Sequence, residues 1–281
     1  MTYKMLYRHI LDLLSKAGID SPAFDTLCMF EDVCNMNRHN LIMYGEKIIS
    51  ENDYNKLMCM AKKRVEGYPL QYILGIWEFM GFEFFVGEGV LIPREDTSVV
   101  VELCVDKVSS DKVNILDLCA GSGTISIALS KLIKNSNVTA LELSEKAIPY
   151  LEKNVKHNDC DNIKIVKGDI FKDYNDFPNS TFDVIISNPP YIISDEINTL
   201  QKEVQFEPHM ALDGGEDGYK FYREIISNWS YCLKNGGLMV FEIGENQFDT
   251  VSQLMMENNF KDIDFAYDIQ NIKRGICGVK I

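Results

Sequence analysis

From about Glu95 onward, short apolar runs alternate with amphipathic stretches, and this alternation limits the possible folds more than any other feature of the chain. The runs Val113–Leu118, Val138–Leu143, Ile163–Val166, Phe182–Ser187 and Leu238–Ile243 have the length and aliphatic content of strands buried on both faces. Between them, 95–107, 124–134, 145–157 and 218–233 read as helices. Such alternation predicts an α/β fold, a doubly wound parallel sheet with right-handed crossovers. Segments 262–267 and 275–281 read as a closing antiparallel pair. Ligands of such sheets bind beyond the carboxyl ends of the strands, so the residues just after each strand are the first candidates for a site.

The first ~70 residues are different in kind. Leu6, Ile10, Leu13, Leu14 and Ala17 form one apolar stripe, with Gly18 as the helix stop. Ser21 is an expected N-cap before Pro22 at the first helical position. Ser50 to Asp53 resembles a capping box, followed by the stripe Tyr54, Leu57, Met58, Ala61 and Val65. A glycine-centred aromatic segment, Ile76–Phe79 and Phe82–Val86, reads as a β-hairpin. The expected organisation is a helical domain at 1–73, a hairpin linker at 74–92 and a sheet domain at 93–281.

Length fits two domains, at ~150 residues each. With 28 basic and 42 acidic residues the formal charge is −14, which argues against bulk affinity for DNA or an anionic membrane. No apolar run is long enough to span a bilayer, and the charged N-terminal segment lacks a signal-peptide core. Eight scattered cysteines without a Cys-x-x-Cys pair read as reduced thiols of a cytoplasmic protein. The four histidines have no metal-ligand spacing, and no metal is expected.

Asp117-Leu118-Cys119-Ala120-Gly121-Ser122-Gly123 follows the first strand of the sheet domain and opens a helix at Thr124. Its glycines allow a sharp turn and close approach of backbone to a ligand. Glu142, nineteen residues after Gly123, ends the next strand, where an acid can accept both ribose hydroxyls. A dinucleotide fingerprint would place a third glycine where Ser126 stands. Asp117 suits a cationic ligand better than a pyrophosphate, and the ammonium of S-adenosylmethionine is such a cation. Asp169 ends the third strand and reads either as an acceptor for the adenine amino group, with Ile170 against the ring, or as a loop cap.

Asn188-Pro189-Pro190-Tyr191 follows the fourth strand. Two prolines fix φ and remove two donors, leaving a rigid loop. A planar NH2 group fits it: the Asn188 side-chain oxygen and the Pro189 carbonyl can accept its two hydrogens, and Tyr191 offers a flat face. A glutamine side chain and an adenine base both present such a group.

Asn-Pro-Pro-Tyr after a strand, with an Asp-x-x-x-Gly-x-Gly loop upstream, resembles class I S-adenosylmethionine-dependent amino-methyltransferases, which are Rossmann-like. The resemblance extends to Pro69–Gly75, the aromatic hairpin, Leu91–Thr97, Phe206-Glu207-Pro208 and Ala211-Leu212, and there it is to the HemK/PrmC family, the release factor glutamine methyltransferases. It implies transfer of a methyl group from S-adenosylmethionine to the side-chain amide nitrogen of the glutamine in the Gly-Gly-Gln motif of peptide chain release factors, leaving S-adenosylhomocysteine. It also implies that Asn188, Pro189, Pro190 and Tyr191 bind the substrate amide and carry the chemistry. Cys119, Ala120, Gly121, Ser122, Gly123, Glu142, Ile170 and Asn188 would line the cofactor site, beside Asp117 and Asp169. The helical domain would hold the release factor, and the enzyme is expected to act as a monomer. Family members more often carry Gly-Thr at 119–120, Asp at 142 and an aromatic residue at 170. The alternative is an adenine-N6 methyltransferase acting on DNA or RNA, which the charge disfavours. Arg94 reads as a brace or as a substrate contact, Cys119 as a packing residue, and 192–217 as part of a substrate rim with a mobile, acidic Gly214–Gly218 turn.

Overall fold

A computed structural model describes residues 1–108 and 112–281. The chain forms two compact units, one comprising Met1–Gly75 and Gln201–Phe206, the other Ile76–Leu200 and Glu207–Ile281.

The first unit is helical: α1 (Tyr3–Lys16), α2 (Pro22–Cys34), α3 (Arg38–Tyr44), α4 (Glu51–Val65) and α5 (Leu70–Leu74). Thr2 caps α1 by accepting from the Met5 N–H. Ser50 caps α4 by accepting from the Asp53 N–H at 3.1 Å. The Asp53 carboxylate closes on the Ser50 hydroxyl at 2.8 Å. Ser21 makes no side-chain cap, so α2 starts on the preset φ of Pro22. Leu6, Ile10 and Leu14 are buried, while Ala17 lies at the exposed end of the stripe.

The α4 stripe ends one residue earlier than expected. Leu57, Ala61 and Arg64 are buried at i, i+4 and i+7, and Val65 is exposed. Arg64 can be buried because each of its three guanidinium nitrogens has an acceptor. Its Nε donates to Asp25 at 2.5 Å, and it also donates to Glu203 at 2.5 Å and to the Tyr68 carbonyl at 3.3 Å. Burial raises the Asp25 carboxyl above its usual range, and Arg64 opposes that shift. Arg64→Ala would strand a buried carboxylate. It is expected to cost about 3–5 kcal/mol, read as an earlier urea transition of the helical signal.

The second unit begins with a hairpin of β1 (Ile76–Phe79) and β2 (Phe82–Phe85). Met80 and Gly81 both take positive φ, as a tight two-residue hairpin turn requires. Then follow α6 (Thr97–Lys107), β3 (Val113–Leu118), α7 (Thr124–Leu132), β4 (Ser136–Glu142), α8 (Ile148–His157), β5 (Ile163–Lys167), β6 (Phe182–Ser187), α9 (Lys220–Glu224), β7 (Leu233–Glu242), α10 (Phe248–Glu257), β8 (Phe260–Tyr267) and β9 (Lys273–Lys280). The sheet order is β5-β4-β3-β6-β7-β9-β8, with β9 antiparallel to both of its neighbours and the strands from β3 to β7 parallel.

Two elements differ from expectation. β7 starts at Leu233, five residues early, because it carries an irregularity around Gly236, whose φ is +76°. The helix expected over 218–233 is α9 followed by a π turn at Ile225–Trp229 and a short 3-10 turn. The wide turn accompanies complete burial of Trp229, whose indole N–H donates to the Ile170 carbonyl at 2.9 Å. Among the described residues, no helix is long and apolar enough to cross a membrane.

The sheet fixes where a ligand can sit. The chain builds outward from β3 to β4 and β5, then returns to place β6 on the other side of β3. The loops after β3 and β6 therefore diverge over the carboxyl edge and leave a crevice. Leu118 and Ser187 pair at the ends of these strands, and the Ser187 hydroxyl donates to the Leu118 carbonyl at 2.6 Å.

Candidate active site

A cavity of about 550 Å³ opens at this crevice. Of the residues singled out in the sequence, Asp117, Cys119, Ala120, Gly121, Ser122, Glu142, Asp169, Ile170, Asn188 and Pro190 line it. Gly123, Pro189 and Tyr191 lie outside its wall. At Gly123 φ is +86°, and a Cβ there would meet Leu151 Cδ1 at 2.5 Å, so this glycine permits close packing of α7 against α8. Gly121 takes φ +56° with open space where a Cβ would point. That space leaves the backbone accessible from the cavity.

Asp117 is completely buried on β3. Its Oδ2 accepts from the Ser126 hydroxyl at 2.5 Å. Its Oδ1 has no partner, alone among buried side-chain nitrogens and oxygens of the described residues. Burial pushes the Asp117 carboxyl up to about 7, and the Glu142 charge adds to the rise. Ser126, at the position of a third fingerprint glycine, is thus committed to holding Asp117. A buried carboxylate oxygen without a donor fits a cationic ligand group.

Glu142 accepts from the Gly121 N–H and the Ser144 N–H, each at 2.7 Å. Each oxygen keeps a second lone pair for a hydroxyl. Burial raises this carboxyl, and the backbone donors oppose the rise. Asp169 caps its own loop by accepting from the Phe171 N–H at 3.0 Å, and it pairs with Lys172 at 2.8 Å. The Lys172 hydrogen bond holds the Asp169 carboxyl below its usual value. Cys119 takes φ +63°, and burial drives its thiol far above the ordinary value. It is no nucleophile.

Asn188 stands at the end of β6 with its Nδ2 donating to Thr97 Oγ1 at 3.3 Å. The Tyr191 hydroxyl donates to Glu242 Oε1 at 3.3 Å. The segment behind this loop is tightly tied. Ile192 exchanges backbone hydrogen bonds with Leu212 and Gly214, and a Cβ at Gly214 would meet the Tyr191 backbone at 2.6 Å. Pro208 to Ala211 and Asp213 form part of the cavity wall. The turn expected to be mobile is thus anchored: Asp213 accepts from the Ser194 hydroxyl at 2.6 Å and the Gly215 N–H at 3.0 Å. Arg94 braces the opposite wall. It pairs with buried Glu207, which also accepts from the Ile92 N–H at 2.9 Å.

Residues 6–75 match the PrmC N-terminal domain, and residues 96–207 match the methyltransferase small domain. The release factor glutamine methyltransferase of Fusobacterium nucleatum is 40% identical, over 98% of this chain and 78% of that protein. The enzyme of the same name from Clostridium botulinum is 36% identical, over 94% of each chain. The chain belongs to the release factor glutamine methyltransferase family. Among solved structures, a methyltransferase from Pyrococcus furiosus has a similar fold, with a TM-score of 0.55 over 82% of this chain and 99% of that one, at 17% identity. The fold is that of S-adenosylmethionine-dependent methyltransferases, with a helical N-terminal domain added.

Within this family member, sequence reasoning missed two groups at the cavity. One is aromatic: Phe171 and Phe221 line the wall, edge to face at 5.2 Å, with the Lys220 ammonium 4.8 Å from the Phe171 ring centre. Phe171 lies one residue beyond the position at which an aromatic was sought. The other is Thr97, in the wall, with Glu242 bonded behind it. A lone carboxylate in the apolar run from Leu238 to Ile243 was the available signal.

Proposed function

We propose that this chain transfers the methyl group of S-adenosylmethionine to the side-chain amide nitrogen of the glutamine in the Gly-Gly-Gln motif of peptide chain release factors, in the cytoplasm and as a monomer. The observation that carries this reading is the position of Asn188. Asn188 lines the same cavity as Asp117, whose Oδ1 has no hydrogen-bond partner. Family membership supplies the substrate class. S-adenosylmethionine bound there supplies an electrophilic methyl on a sulfonium.

The residues have distinct tasks in this reading. Asp117 takes the ammonium of the methionine portion, Glu142 the ribose hydroxyls, and Asp169 with Ile170 the adenine. The backbone from Cys119 to Gly123 follows the ligand closely. An amide nitrogen is a poor nucleophile because its lone pair is delocalised. Asn188 Oδ1 and the Pro189 carbonyl accept its two hydrogens and Tyr191 packs on its plane, which requires the arriving side chain to pass beyond the cavity wall at Asn188 and Pro190, and Pro190 stiffens the loop. Each hydrogen bond contributes only about 0.5–1.5 kcal/mol. Alignment with the methyl contributes more, up to about 7–11 kcal/mol at the limit. The methylated nitrogen is acidic and loses its proton without a dedicated base. The helical unit, assigned as 1–73, holds the release factor, the hairpin segment 74–92 connects, and 93–281 performs the transfer.

Intact-mass analysis of a release factor incubated with enzyme and cofactor tests this. The expected result is a gain of one CH2, absent when the acceptor glutamine is changed to asparagine. Label in nucleic acid with none in the release factor would overturn it in favour of an adenine methyltransferase.

A further inference from the structure

We propose that Glu242 and Thr97 are positioning residues that set which way the Asn188 side-chain amide faces, and thereby make its oxygen available to the substrate. The proposal deepens the reading above and rests on Asn188 being the acceptor of the substrate NH2.

Glu242 ends β7, the strand beside β6, and is 2% exposed. Its Oε2 accepts from Thr97 Oγ1 at 2.6 Å, and its Oε1 accepts from the Tyr191 hydroxyl at 3.3 Å. Thr97 opens α6 and is also buried. A threonine hydroxyl has one proton to give. Glu242 Oε2 at 2.6 Å takes it, and most strongly above about pH 7, where the carboxyl is ionised and the bond is charge-assisted. Thr97 Oγ1 can then only accept on its other side, which is where Asn188 stands at 3.3 Å. Asn188 must present its NH2 there. A flipped amide would set two oxygens against each other with no proton between them. With the NH2 fixed on Thr97, Oδ1 is turned to the other side of the amide, toward the cavity that Asn188 lines.

The same carboxylate thus fixes both functional side chains of the loop, Asn188 through Thr97 and Tyr191 directly. Arg274 on β9 donates at 3.3 Å to the Ile243 carbonyl next to Glu242 and pairs with Asp268. Tyr222 on α9 donates to the Glu242 backbone carbonyl at 2.8 Å. Asp96 adds negative charge nearby. Burial moves the Glu242 carboxyl up to about 7, while Thr97, Arg274 and Tyr191 favour the ionised form.

Four variants and two readouts test the proposal. Thr97→Val keeps the shape and removes the hydroxyl. Glu242→Gln keeps one acceptor oxygen and turns the other into NH2, so either Thr97 or Tyr191 loses its proton acceptor. Each is expected to lower kcat about ten- to hundredfold with the cofactor Kd close to wild type, and Thr97→Val, which leaves a buried carboxylate oxygen without its donor, is expected to lower Tm as well. The double variant should be no slower than the slower single one, since both act through one chain of hydrogen bonds. Thr97→Ser should restore most of the rate. In protein labelled with 15N-asparagine, one proton of the Asn188 side-chain NH2 should exchange slowly with solvent, and its exchange should quicken markedly in Thr97→Val. This NMR readout needs no methyl acceptor. A fixed NH2 in a protein that does not modify release factors would sink the functional reading and leave the positioning claim standing. Wild-type kcat in Thr97→Val, additive losses, or Thr97→Ser as slow as Thr97→Val would overturn the positioning claim.

Discussion

Asn188→Ala is expected to lower kcat for release factor methylation by about 10²–10³-fold, while the Kd for S-adenosylmethionine changes by no more than a few-fold. The split follows from how the side chain is used. Its NH2 is spent on Thr97, so what it offers the cavity is one fixed oxygen. Truncation removes that acceptor and leaves a gap in which the substrate amide can rotate. In the proposed reading the cofactor keeps Asp117 and Glu142, which this substitution does not touch. Asn188→Asp is a sharper form of the same experiment. It sets a carboxylate against Thr97 Oγ1, whose proton already goes to Glu242, and so adds a second buried anion to one that burial has moved up to about 7. Its loss should equal or exceed that of the alanine variant, although aspartate has nearly the same shape. Single-turnover mass measurements at saturating cofactor would read both. Wild-type turnover in Asn188→Ala would remove this residue from the reaction.

The parts of this site that could be read from the sequence are those encoded locally. The turn after β3 needs glycine at 121 and 123 for positive φ, and the loop after β6 carries two consecutive prolines. Both signals lie within a few residues of the strand that positions them, and the alternating pattern gives that strand its place. What the sequence concealed are partnerships across the chain. Thr97 and Glu242 are 145 positions apart, and Arg64 and Glu203 are 139 apart. Arg64 illustrates the cost of missing a partner. By hydropathy alone Val65 belongs in the stripe, but a guanidinium with three acceptors is buried in its place. Asp169 falls between the two cases. The local reading as a loop cap appears in its bond to the Phe171 N–H, and its place on the cavity wall depends on the fold. The irregular path of β7 and the π turn before Trp229 are responses to packing, which no local pattern announces.

Asp117→Asn should move stability and binding in opposite directions. In the free protein the Asp117 carboxylate is buried with one oxygen unpartnered, an arrangement that is costly while no cation is present. Its folded-state pKa, raised to about 7, makes the sign explicit. The unfolded chain loses this proton near pH 4, so between about pH 4 and pH 7 the folded state holds more protons and its stability falls as pH rises. The amide removes that dependence. It should therefore stabilise the free protein by up to about 4 kcal/mol at pH 8, and the gain should vanish near pH 4, where both folded side chains are neutral. Binding runs the other way. Loss of one partner from a buried charge pair costs about 2–4 kcal/mol, so the Kd for S-adenosylmethionine should rise roughly 30- to 1000-fold. Wild-type affinity should weaken about tenfold for each pH unit below 7 and stay level above it, because a cation selects the ionised form. In Asp117→Asn that limb should be flat. Calorimetric titrations and melting curves from pH 5 to pH 8 would read both effects on the same samples. If the variant lost affinity and stability together, Asp117 would be a structural residue. A gain in stability with unchanged affinity would mean that its free oxygen faces something other than the cofactor.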